Sequence, residues 1–132
     1  MTARTRVAPS RGSAVVEFAL VLPLLLMIAL AVLQTGLLAK DLMIVQEAAR
    51  AGARQASVSG DDTSVVQAVD EAASSLAPAG LSTTVRRGPA PGAPATVDVA
   101  YEAPVSLPLL GWLLPPTVRL SSDATMRQET GG

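Results

Sequence analysis

Glu17 is an acid in an apolar setting, and its spacing from two neighbours suggests a chemistry. It stands five residues after Gly12, at the mouth of a run from Phe18 to Ala39 in which none of the twenty-two side chains is charged. A charge inside a membrane helix costs about 2.5–3.5 kcal/mol at the centre and normally signals a partner or a pathway. In a low-dielectric helix bundle an unpaired carboxylate is penalised, so Glu17 calls for a cationic partner.

Little other chemistry is on offer. The 132 residues include no histidine and no cysteine. That removes the commonest general base, the commonest metal ligand, disulfides and thiolate sites together. Asp98 and Glu102 lie four apart on a strand pattern and share a face, where solvated strand charges account for them. Asp61 and Asp62 lack the ligand spacing of an EF-hand and read as a helix cap. No glycine-rich phosphate loop follows a strand, and no basic patch is interleaved with aromatics. Catalysis, metal, cofactor, nucleic acid and small-molecule substrate are all unexpected.

The elements that position Glu17 begin with the run itself. As a helix it rises about 33 Å at about 1.5 Å per residue, enough for a hydrocarbon core of about 30 Å. Arg4, Arg6 and Arg11 precede it with no acid among the first twelve residues. That is the positive-inside pattern, with the N-terminus cytoplasmic and everything after Lys40 outside. Three readings fit such a start. A secretory signal peptide would use Ala29-Leu30-Ala31 for cleavage, although the apolar stretch continues through Val32 and Leu33. An uncleaved signal anchor would tolerate Glu17 at the membrane edge, as in a permanently anchored extracytoplasmic binding or envelope protein. The third reading takes the junction literally: a basic leader ending at Gly12, a mature chain starting at Ser13, Glu17 its fifth residue and Phe18 its sixth, which resembles type IV prepilins and pseudopilins. That resemblance implies a cut that leaves a new amine on Ser13, with which a Glu17 carboxylate of a neighbouring subunit can pair to set axial register.

Farther along, the fold class reads as α+β. Residues 1–12 form a cytoplasmic leader, 13–39 a transmembrane helix, 40–57 its amphipathic extension, and 58–132 a small extracytoplasmic domain. The long helix runs from Ser13 to about Ser57, with Pro23 removing one backbone bond inside it. In its second half Leu42, Val45, Ala49, Gly52, Ala53 and Ala56 recur at helical spacing. Ala48, Gly52 and Ala56 form a stripe of small residues that packs either on the chain's own domain or on a sister helix. Ser59-Gly60 stops this helix. A second, capped by Asp61 or Asp62, has Val65, Val66, Val69, Ala72, Ala73 and Leu76 as its apolar face. Period-two alternation then marks Val97 to Val105 and Val118 to Met126 as half-buried strands, with a shorter candidate around Thr83 and Val85. Two or three strands form a small antiparallel sheet, and Gly88–Pro94 is a hairpin loop. The connection 106–116 is apolar where a loop is normally polar. Either it caps the small sheet, or it is an exposed contact anchored by Trp112.

Two blocks, Arg11-Gly12-Ser13-Ala14-Val15-Val16-Glu17-Phe18 continuing through Leu26, and Ala48-Ala49-Arg50-Ala51-Gly52-Ala53-Arg54, resemble the TadE-like minor pseudopilins of tight-adherence (Flp-type) pili. The resemblance implies processing after Gly12 by a prepilin peptidase, with Gly12 as the last leader residue and Glu17 at the family's acidic position. Phe18 stands where Flp-type processing sites often have tyrosine. It also implies a non-enzymatic role in assembling or priming a pilus. The expected partners are that peptidase, other pilins and pseudopilins, the inner-membrane assembly platform and membrane lipid. The expected location is the cell membrane, as a single-pass protein that can enter an extracellular pilus.

Overall fold

The computed structural model describes residues 11–90, 92–105 and 115–129. Two compact units divide the chain, residues 1–33 and 34–132. One helix, α1 (Arg11–Val58), supplies the described part of the first unit and opens the second. In the first unit Val15, Val16, Phe18, Leu20, Leu24 and Leu25 are all exposed. A helix that is apolar all round is stable in a protein core or in lipid. This one is long and apolar enough to cross a membrane, and none of its most apolar 18-residue window is buried within the protein. That fits a membrane-anchored protein.

The second unit places the far half of α1 and a second helix, α2 (Asp62–Ala72), over a three-stranded antiparallel sheet. The strands β1 (Leu81–Arg87), β2 (Pro94–Pro104) and β3 (Thr117–Arg127) lie side by side in chain order. A 3-10 turn at Pro78–Gly80 leads into β1. The α+β class, the second short helix and the third strand all follow the sequence patterns. Alternation on β2 is complete, with Ala95, Val97, Val99, Tyr101 and Ala103 buried. The matching residues of β3, Val118 to Met126, are only half-buried. Pro94, expected in the loop, is the first residue of β2, where a missing N–H is tolerated. Gly92 turns the preceding hairpin at φ +81°, which favours glycine.

The buried stripe of α1 is made of Val45, Ala48, Ala49, Gly52, Ala53 and Ala56. These small residues allow the helix backbone to approach Val97 on β2 and Val69 on α2. A Cβ built on Gly52 would lie 2.6 Å from Val69 Cγ2 and 3.0 Å from Val97 Cγ1. On α2 the buried face is narrower than the periodicity suggests. Val65 and Val69 are buried and Ala72 is half-buried, but Val66 is 38% exposed, and Ala73 and Leu76 are buried beyond the helix, which ends at Ala72. Val66 sits about 100° round the helix from Val65, outside the sector that faces the sheet.

Asp61 caps α2. Its carboxylate accepts from the N–H of Thr63 at 3.1 Å and of Ser64 at 3.2 Å, filling two donors that the first turn leaves open. The Thr63 N–H is the largest influence holding the Asp61 carboxyl below its ordinary value of 3.8, and the Ser64 N–H and the Arg87 charge act in the same direction. A group whose pKa falls on folding contributes stability above its unfolded value and loses it as pH drops through the folded one. Stability should therefore decline on acidification below about 3.8. Asp61→Asn keeps a capping acceptor but no charge, so it should flatten that decline, read as the pH dependence of the thermal midpoint.

Candidate functional site

The candidate junction lies in the first turns of α1. Successive residues advance about 100° round a helix, so Ser13 and Glu17 share a face one turn apart. Ser13 Oγ donates to Glu17 Oε1 at 3.1 Å, and both side chains are exposed. This bond gives the carboxylate one local donor at the edge of the apolar run and leaves its other lone pairs open. Phe18, beside it, is 61% exposed. Gly12 is in open space, and a Cβ built on it meets nothing within 4 Å. Packing therefore does not require glycine at position 12, in contrast to position 52.

Ala48, Gly52 and Ala56, one turn apart on α1, are buried within the second unit against its own α2 and sheet. Trp112 lies outside the described residues, as do 106–114 of the apolar connection. Asp98 and Glu102 share the outer face of the sheet. Asp98 pairs with Arg86, and Glu102 Oε2 accepts from Thr117 Oγ1 at 3.1 Å.

One structurally important residue has no sequence signal of its own. Arg87 Nη1 donates to the backbone oxygens of Ala56 at 2.8 Å and Ser59 at 2.7 Å, while its Nε donates to Asp62 Oδ1 at 2.9 Å. The guanidinium thus joins the end of α1, the start of α2 and the end of β1. Nearby, Glu129 N donates to Ser57 O at 2.8 Å, so the chain beyond β3 is fastened to the same helix end.

An apolar first helix headed by a Gly–Ser bond and an acid one turn on, continuing into a small α+β domain, fits a membrane-anchored protein. Residues 12–54 match the family model described as TadE-like protein, a span that starts at the junction and ends within the small-residue stripe. Over that span the chain is similar to TadE-like proteins, which suggests a role in the Tad pilus system, whose TadE-like components are generally structural. No curated protein and no solved structure matches the chain.

Proposed function

We propose that the chain is a non-enzymatic, minor pseudopilin-like component of a tight-adherence pilus, processed by a prepilin peptidase between Gly12 and Ser13. The single observation that carries this reading is the Ser13–Glu17 pair, at 3.1 Å, one residue beyond an open glycine at the head of the apolar helix. Cleavage requires the first turn of α1 to open into the peptidase. The first four N–H groups of a helix have no intrahelical acceptor, so unwinding there sacrifices little. The new Ser13 amine and Glu17 then become the charged pair that neighbouring subunits exchange, with the leader cytoplasmic and residues 58–132 extracytoplasmic. Other pilins, pseudopilins, the assembly platform and membrane lipid are the partners this implies.

N-terminal sequencing of the membrane-extracted protein, from a host with the cognate peptidase, tests the proposal. The expected first residue is Ser13. Val32 would indicate ordinary secretion, and Met1 or Thr2 a plain anchor. Gly12→Ala should leave the leader attached, and because a Cβ there meets nothing within 4 Å, that failure cannot be blamed on packing. Glu17→Ala should be cleaved yet leave pilus assembly impaired. Normal piliation by that variant would remove the pairing argument.

A further inference from the structure

Among the described residues the outer edge of β3 is open, and its residues are arranged to fit a copy of themselves. Paired residues in the β2–β3 ladder sum to 221, as in Tyr101↔Leu120 and Val97↔Ala124. The same series continues beyond the strands, where Val105 N donates to Pro116 O and Gln128 N to Ala93 O. The even-numbered residues of β3 therefore turn their backbone groups toward β2. The odd-numbered ones, Thr117 to Arg127, turn theirs to the free edge. Among the described residues no backbone group meets that edge.

Natural edges are commonly blunted by proline, a bulge or an inward-pointing charge. β3 has none of these: its register runs unbroken from Thr117 to Arg127, and its inward residues are Val118, Leu120, Ser122, Ala124 and Met126. Those side chains are half-buried where the inward side chains of β2 are buried, so the covering layer thins toward this edge. The outward side chains divide into two groups. Thr117 is held by Glu102, Thr125 by Thr96 and Arg127 by Gly92 O. Between them Arg119, Ser121 and Asp123 have no side-chain partner among the described residues.

We propose that β3 pairs antiparallel with β3 of a second copy about a two-fold axis at Ser121, joining two three-stranded sheets into one of six. A strand that pairs with itself through one edge must do so by such an axis. Placing the axis at Ser121 sets each Arg119 opposite the partner copy's Asp123, twice over, with Ser121 facing its own counterpart and Thr117 facing Thr125. An axis at Asp123 would oppose the two aspartates and set Arg119 against Arg127. An axis at Ser122 would put no opposite charges face to face. An axis at Thr125 would also oppose Asp123 to Arg127, but it pairs only residues 123–127 of the strand where the axis at Ser121 pairs 117–125. Charge complementarity and the length of strand paired together select the occupant and the register. The pairing is independent of whether the leader is removed.

The test uses the full chain in detergent micelles and in nanodiscs. Because the protein has no cysteine, a single Ser121→Cys change introduces its only thiol. Directly opposed residues of a hydrogen-bonded pair stand about 5.5 Å apart at Cα, within disulfide reach. Mild oxidation should therefore give a covalent dimer with Ser121→Cys and not with Ser82→Cys on β1. Asp123→Arg should weaken the dimer about tenfold, by light scattering against dilution, and adding Arg119→Asp to it should restore the affinity. A monomeric wild-type protein, equal cross-linking at position 82, or no rescue by the double reversal would each overturn the proposal.

Discussion

Gly52→Val is expected to leave the 34–132 unit largely unfolded under conditions in which the wild-type chain is folded, and Gly52→Ala to destabilise it measurably. The built Cβ falls 2.6 Å from Val69 Cγ2, a separation at which something must move. Neither neighbour can yield easily. Val69 and Val97 are both fully buried, and a β-branched side chain in a helix has essentially one favoured χ1, so Val69 cannot swing its methyl aside. Overpacking of this kind costs about 1–3 kcal/mol, against about 1 kcal/mol gained when alanine replaces glycine in a helix. For alanine the balance is a net loss of up to about 2 kcal/mol. Valine adds two methyl groups in the same contact and gives back part of the helix preference, so its loss approaches the total stability of a small domain, about 5 kcal/mol at the low end. Chemical denaturation followed by far-UV circular dichroism checks both variants. Gly36→Ala is the control, since a Cβ at Gly36 meets nothing within 4 Å. A Gly52→Ala protein as stable as the control would mean that α1 does not sit this close to Val69 and Val97.

The same position shows how much the sequence made legible. Small residues at 48, 52 and 56 are visible as a stripe, but a stripe has no address. Only the closeness of Val69 and Val97 assigns it to the chain's own domain rather than a sister helix. Features that live in short-range periodicity were readable: the single long helix, the Asp61 cap and the alternation of Val97 to Ala103 and of Val118 to Met126. Val66 was misplaced on the apolar face because periodicity gives the direction of a helix face more reliably than its width. Arg87 was invisible as anything but a polar strand end, since its acceptors lie 25 to 31 residues earlier in the chain. The free edge of β3 depends on strand order, which no residue in the strand encodes alone.

Arg86 and Arg87 are neighbours of identical charge, and their replacement should have very different consequences. Arg86 is 68% exposed and pairs with Asp98 on the outer face of the sheet. Such surface pairs are worth about 0–1 kcal/mol, so Arg86→Met should change stability by no more than that. Arg87 is only 20% exposed, and its Nη1 serves two carbonyls at the end of α1, a place where the last four C=O groups lack intrahelical donors. A cation there also opposes the negative end of the helix dipole. Arg87→Met leaves Ala56 O and Ser59 O without this donor, at about 1–3 kcal/mol for each buried group left unpaired. Because both bonds are only part-buried, water recovers a share, and a total loss of about 2–4 kcal/mol is expected. Arg87→Lys should recover only a minor part, since one ammonium cannot reproduce a planar fork that reaches two carbonyls and Asp62 together. The loss should be local before it is global, with hydrogen exchange accelerating first around residues 56–64, where α1 hands over to α2. An Arg87→Met protein indistinguishable from Arg86→Met in denaturation and exchange would show that the α1 end is held by Glu129 and the Asp61 cap without the guanidinium.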